Sequence, residues 1–181
     1  MQTYSYISTS QLSGKGIAII HLNRPEVHNA MNAGMIEEIH EAVEHFSAVT
    51  GVRMIIFRGK GKSFCSGADL NYMKSQAELE MDENLRDARK LASLFKAIYD
   101  SPKITLTVVH GVVAGGANGI IAASDLCMAS PGARFRFSEV KLGLVPATIA
   151  PYVLNKTGGA VARELFLTGR LFTAEEAAKF G

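Results

Sequence analysis

The sequence predicts an α/β fold with mainly parallel strands, and three observations lead there. Short runs of aliphatic and β-branched residues recur, too continuously apolar for strands with one wet face. Between them lie segments whose apolar residues repeat at helical spacing. The two kinds of segment alternate, strand then helix, before giving way to shorter elements, which is the pattern of a parallel sheet covered by helices.

Residues 16–22, Gly-Ile-Ala-Ile-Ile-His-Leu, read as the first strand, ended by Asn23-Arg-Pro25. Asn32 can cap a helix whose apolar positions are Met35, Ile36, Ile39, Val43 and Phe46. Gly51 follows it, and Val52–Phe57 is a second strand, expected to be buried on both faces. Gly59-Lys-Gly61 and Ser63–Gly67 form the loop beyond. The polar stretch Ser75–Glu83 reads as a mobile connector. A helix then carries Leu85, Ala88, Leu91, Ala92, Phe95 and Ile98 on one face, and after Pro102 comes a third strand, Ile104–Val109. A short helix over residues 116–123 leads to strands at Leu126–Ala129 and Phe135–Phe137. Thr148–Leu154, Ala160–Leu167 and Ala174–Lys179 read as helices, the last ending at Gly181.

A length of 181 residues suits one domain, residues 1–181, burying about 70% of its unfolded surface. A net charge of +2 with scattered Lys and Arg excludes a nucleic-acid footprint. The densest basic stretch, Arg53–Lys62, reads as a solvated strand end and loop or as a local patch for an anionic ligand. The two cysteines, Cys65 and Cys127, are too few for a disulfide framework and are expected as free thiols. Residues 1–6 carry neither the basic nor the apolar region of a secretory leader, and no apolar run reaches the roughly 18 residues of a membrane helix, so cytoplasm is the expected compartment. The histidines lack metal-ligand spacing, and no metal is expected.

Three motifs can carry chemistry. In Gly115-Gly116-Ala-Asn118-Gly119, consecutive glycines let main-chain N–H groups approach a ligand just before a helix, an arrangement suited to an anion or developing oxyanion. Close helix–strand packing explains the same glycines. The spacing is neither a dinucleotide fingerprint nor a phosphate loop. In Ser66-Gly67-Ala68-Asp69-Leu70, just past a strand, little bulk blocks the Ala68 N–H, which can serve as a second oxyanion donor; Asp69 also reads as a helix cap or turn acid. In Phe137-Ser138-Glu139-Val140 a carboxylate lies among apolar residues. Desolvation would raise its pKa and suit it to general acid/base work, while a salt bridge to Arg134, Arg136 or Lys141 is the plainer alternative.

In this order and at these separations, the pieces resemble the crotonase superfamily, the enoyl-CoA hydratase/isomerase family. They are Leu22-Asn-Arg-Pro25 with Asn29-Ala30, then Phe64–Leu70, Val112–Gly116, Ser124-Asp125-Leu126, Phe137–Pro146, Leu167-Thr-Gly169 and Ala174–Gly181. The resemblance covers nearly the whole chain. It implies a crotonase-like spiral of ββα units and an acyl-CoA thioester as substrate, with no separate cofactor because coenzyme A belongs to the substrate. By motif position the Ala68 and Gly116 N–H groups form the oxyanion hole. Val27 and residues Ser66, Gly67, Asp69 and Leu70 line the coenzyme A arm, with Gly115 and Asn118 beside them. Family chains continue into C-terminal helices and assemble as trimers or dimers of trimers. Those helices are missing here, so the chain reads as a truncated form of a longer protein.

One departure matters. Hydratases of the family usually hold water with two glutamates; Glu139 matches the second, and the first falls at Gly119. Family isomerases commonly manage with the acid at the Glu139 position alone. The run Ser138–Ala147 with Pro151-Tyr-Val153 also resembles a hydratase subgroup acting on branched or carboxylated enoyl-CoA, in which the substrate's own acid or Asn118 would help hold the water. The expected function is therefore hydration of a 2-enoyl-CoA by an oxyanion hole and one glutamate. A Δ3,Δ2-enoyl-CoA isomerase and a non-catalytic acyl-CoA-binding scaffold are the alternatives.

Overall fold

The computed structural model describes residues 3–12, 14–77 and 79–181; Met1 and Gln2 of the leader reading and Glu78 of the connector reading lie outside them. A five-stranded sheet forms the main layer, in the order β1 (Ile7–Leu12), β2 (Ile17–Leu22), β3 (Met54–Gly59), β4 (Ile104–Val109) and β6 (Leu126–Ala129). Only β1 runs antiparallel, pairing Ile7 with Leu22 and Leu12 with Ile17; the other pairs are parallel. A second, three-stranded sheet holds β5 (Val112–Ala114), β7 (Arg134–Arg136) and β8 (Leu171–Thr173). Thus β4 and β5 enter different sheets before α4 (Ala117–Ala123), and β6 and β7 do the same before α5 (Ala150–Thr157). This is the α/β arrangement that the sequence pattern predicts, with the repeated ββα turns that the resemblance implies.

Asn32 caps α1 (Ala33–Ala48) by accepting the Met35 N–H at 2.8 Å. The α1 stripe Met35, Ile36, Ile39, Val43 and Phe46 is buried, as its spacing requires. It meets the sheet face carrying Ala18, Ile20, Leu22, Ile55 and Phe57. Composition predicts strands buried on both faces, and the structure corrects this. Their opposite face, with Ile19, Ile56, Leu106 and Val108, is only half-buried, because the described helices cover the other side. On the buried face, Thr105 Oγ1 and N–H donate to Asp125, and Thr107 shares a hydrogen bond with Ser124, so Ser124-Asp125 ties β4 to β6.

The connector reading of residues 75–83 is overturned. α2 (Leu70–Ala77) runs into it, and α3 (Met81–Tyr99) begins within it through a capping box between Glu80 and Glu83. A Tyr72–Asp87 hydrogen bond fastens α2 to α3. The strand β1 is a further element that the apolar pattern does not predict. The remaining elements are α6 (Gly159–Thr168) and α7 (Ala174–Phe180) with its Thr173–Glu176 capping box, and short 3-10 turns at Pro25–Val27 and Glu139–Leu142. Among the described residues no helix is long and apolar enough to cross a membrane.

Candidate active site

Two glycine turns meet edge to edge. After β3 the chain runs beside β5: Cys65 N–H donates to Val112 O at 3.2 Å and Ala114 N–H to Cys65 O at 3.1 Å. That pairing presses Gly67 against the start of the next turn, where a Cβ on Gly67 would stand 3.1 Å from Ala114 O. Both turns use left-handed backbone, with φ of +100° at Gly67 and +52° at Gly115, which glycine adopts without steric cost.

Each turn presents an N–H with no acceptor among the described residues. Met31 bonds on both sides of Ala68, accepting from Asp69 N–H at 2.9 Å and donating to Gly67 O at 2.8 Å. This leaves the Ala68 N–H pointing out of the bridge, with no acceptor among the described residues. The Gly116 N–H, just ahead of α4, likewise has none, while its neighbour Gly115 donates to Arg136 O at 3.0 Å. Because α4 has only 7 residues, these are treated as individual N–H donors rather than as the end of a strong helix dipole.

Glu139 faces this junction. A Cβ on Gly115 would lie 3.6 Å from Glu139 Oε1 and 3.8 Å from Gly67 Cα. The salt-bridge alternative is not what the structure holds: among the described residues Glu139 makes no ion pair, and its Oε2 is buried without a hydrogen-bond partner. Burial raises its pKa above the ordinary carboxylate value, partly offset by the main-chain N–H groups of Glu139 and Ser138. A carboxyl that is desolvated, unpaired and beside two free donors is equipped to move protons.

The neighbouring residues divide into open and committed ones. Val27, Ala68 and Leu70 are exposed along one edge, with Leu70 at 72%. Ser66 donates its N–H to His28 O at 3.0 Å. Asp69 is committed: Oδ1 accepts the Asn71 and Tyr72 N–H groups that open α2, and Oδ2 pairs with Arg24 at 2.9 Å. Burial alone would raise the Asp69 pKa, but the Arg24 hydrogen bond and those two N–H groups outweigh it and hold it low. Asn118 is only 5% exposed and gives its amide N–H groups to Gly115 O and Arg136 O.

Several residues build the site in ways that their place in the sequence does not reveal. Asn29 is fully buried in left-handed backbone, accepts the Arg24 N–H, and donates to Lys60, Ser63 and Phe64 carbonyls. Its sequence signals are the Asn29-Ala30 piece four residues beyond Pro25 and a residue type that tolerates that conformation, neither of which reveals the network. Phe95 and Ile149 crowd Gly119: a Cβ there would lie 2.7 Å from the ring and 2.4 Å from Ile149 Cγ2. The direction in which a residue 119 side chain would project is therefore filled by apolar packing.

Other candidates lie apart. The His28 ring contacts Ser63 Oγ at 3.1 Å, and His110 contacts Gly61 O. No group of His, Cys, Asp and Glu among the described residues could hold a metal. Both cysteines are free; burial pushes the Cys65 thiol up to about 12 and Cys127 up to about 11, so neither is a ready thiolate. The basic side chains Arg58, Lys60 and Lys62 are exposed, as a solvated loop requires. A cavity of about 400 Å³ lies between α4, β6, α5 and α7, touching Asn118 but not Glu139, Ala68 or Gly116.

A family model described as enoyl-CoA hydratase/isomerase matches residues 13–181. A crystal structure of an enoyl-CoA hydratase from Shewanella pealeana superimposes with a TM-score of 0.94 at 40% identity, over 97% of this chain and 66% of that one. The enoyl-CoA hydratase ACTT6 of Alternaria alternata is 38% identical over 88% of this chain and 51% of its own length. The trans-2-decenoyl-acyl-carrier-protein isomerase of Streptococcus mutans is 33% identical over 92% of this chain and 64% of its own. The chain spans about half to two thirds of the length of such curated relatives. On the extent of the family match and the agreement of the fold, the chain belongs to the enoyl-CoA hydratase/isomerase family.

Proposed function

We propose that the protein hydrates a 2-enoyl-CoA thioester, with Ala68 and Gly116 N–H groups holding the thioester oxygen and Glu139 as the sole acid/base. The observation that carries this reading is the unpaired, desolvated Glu139 carboxyl beside two N–H donors that lack acceptors among the described residues.

The chemistry follows from those groups. The Glu139 carboxylate takes a proton from water as its oxygen bonds to C3 of the substrate. The C2–C3 π electrons move toward the thioester, and the two N–H groups stabilise the enolate oxygen that develops. The protonated Glu139 then returns its proton to C2, so water is added overall and the carboxylate is restored. Each oxyanion donor contributes about 3–4 kcal/mol and acid/base catalysis about 10²–10⁴-fold, so one acid suffices for substantial turnover. The coenzyme A arm would lie along Val27, Ser66 and Leu70, over the Gly67 turn, with Asp69 serving by holding Arg24 and opening α2. A carboxylated acyl group that brings its own acid fits a site where residue 119 cannot supply one. Assembly as a trimer or dimer of trimers belongs to the same proposal.

Double-bond isomerisation is the second reading, favoured by the apolar packing over Gly119 and by the likeness to a named isomerase. Glu139 would then take a proton from C2 of a 3-enoyl thioester and return it to C4. A turnover screen of the full-length protein against straight, branched and carboxylated enoyl-CoAs tests both. Hydration of at least one 2-enoyl-CoA supports the proposal. Migration of the double bond without water uptake replaces it, and tight binding without turnover leaves a scaffold.

A further inference from the structure

The Asn118 amide does more than border the site. Asn118 Nδ2 donates to Arg136 O at 2.8 Å and to Gly115 O at 3.2 Å. Gly115 O also accepts the Asn118 N–H at 2.9 Å, and Arg136 O also accepts the Gly115 N–H at 3.0 Å. Both side-chain partners are carbonyls, so the amide must present its NH2 to them, which fixes its orientation. A ring of hydrogen bonds therefore closes through Gly115, Asn118 and Arg136. On one side of the ring is the Gly116 N–H. On the other the chain leaves β7 and reaches Glu139 three residues after Arg136.

We propose that Asn118 is a positioning residue that locks the Gly116 donor and the Glu139 carboxyl in one frame. Gly115 stands in left-handed backbone, which a free chain leaves readily, and the clamp holds it from both its N–H and its carbonyl. Without the side-chain donors, only the main-chain bonds restrain the turn, and the Gly116 N–H can rotate away from the oxygen it serves. Misplacement on the order of 1 Å is enough to cost about 10²-fold in rate. Neither N–H of the amide is left for substrate, so Asn118 acts through Gly116 rather than by touching the reacting atoms. The inference rests on the oxyanion-hole reading above.

The test uses the full-length protein with Asn118→Ala and Asn118→Asp, the second keeping the side chain's shape while replacing the two-donor NH2 with a carboxyl that offers at most one donor. Two probes separate positioning from general damage: butyryl-CoA, whose carbonyl needs the N–H donors, and S-butyl-CoA, a thioether without that oxygen. In both variants kcat/KM for the enoyl-CoA substrate is expected to fall about 10²-fold, chiefly in kcat. Butyryl-CoA should bind about 10-fold more weakly (about 1.4 kcal/mol) and S-butyl-CoA within about 2-fold of wild type. Equal weakening of both probes, or unchanged kcat/KM in Asn118→Asp, overturns the proposal. Wild-type protein that binds the two probes alike overturns the oxyanion-hole reading beneath it, and the proposal with it.

Discussion

Adding a single methyl group at Gly119 tests the packing that closes this position to a second acid. In Gly119→Ala the new Cβ would stand 2.4 Å from Ile149 Cγ2 and 2.7 Å from Phe95 Cε1 and Cζ. Carbon atoms in good contact lie about 3.5–4.0 Å apart, so something must give by more than about 1 Å. Phe95 and Ile149 are 0% and 1% exposed, so they have no open space to move into. Overpacking of this kind costs about 1–3 kcal/mol, against a helix-propensity gain of up to about 1 kcal/mol for Ala over Gly. With two side chains crowded at once the cost lies in the upper part of that range, about 2–3 kcal/mol, so the expected net loss is about 1–2 kcal/mol, or a melting temperature lower by about 2–8 °C in a domain of this size. A double-mutant cycle with Ile149→Ala sharpens the test. That variant alone costs about 2–5 kcal/mol by opening a cavity. The methyl group introduced by Gly119→Ala partly fills it, so the pair should couple favourably by about 1 kcal/mol or more. Thermal melts of the four proteins decide the matter. An unchanged melting temperature in Gly119→Ala, or strict additivity in the cycle, refutes the packing argument. By the same steric reasoning Gly119→Glu is expected to unfold the domain rather than restore a two-acid site.

Further outcomes follow from the charged groups. Glu139→Gln should lower kcat/KM about 10²–10⁴-fold in steady-state assays of the full-length protein while leaving acyl-CoA affinity within a few-fold. In wild type the rate should fall as pH drops through the Glu139 pKa, and because burial raises that pKa the fall should begin above the usual carboxylate range. The stability sign is opposite to the catalytic one. A raised folded-state pKa gives stability that is present below the unfolded value and lost as pH rises through the folded one. Melts should therefore show Glu139→Gln gaining on wild type as pH rises from about 4 to 8. At the other end of the site, Arg24→Ala removes the Asp69 ion pair and a hydrogen bond to Ala30 O, and should cost about 1.5–3 kcal/mol in chemical denaturation. Asp69 has a lowered pKa, so the stability it gives wild type is present above its ordinary value of 3.8 and lost as pH falls further; the variant should show a smaller loss, the part that the Asn71 and Tyr72 N–H groups still supply.

The parts legible in the sequence are those fixed by local chemistry. Asn32 capping α1, the α1 apolar stripe, the parallel strands and the glycine turns follow from spacing and residue type. So does the apolar setting of Glu139. The strand β1 does not, because Ser8-Thr-Ser-Gln11 carries no strand-like apolar alternation and its pairing is set by β2 across the turn. The helix α2 is hidden for a related reason: Asp69 at its start and Tyr72 bound to Asp87 hold it, while its own apolar periodicity is weak. Phe95 reads as a core residue from its helical spacing, but nothing in the sequence says that its ring and Ile149 converge on Gly119 from two other elements. The Asn29 and Asn118 networks are long-range as well, each joining turns that the chain brings together only on folding.

The central claim, that one carboxyl carries the acid/base work of hydration, is tested most directly by oxygen-18 incorporation. Full-length wild type and Glu139→Gln are each given the best 2-enoyl-CoA of the screen in water labelled with oxygen-18 and deuterium. Wild type should place oxygen-18 at C3 and one deuterium at C2, and Glu139→Gln should lose both together. Undiminished oxygen-18 uptake in Glu139→Gln, or deuterium uptake without oxygen-18 in wild type, would contradict it.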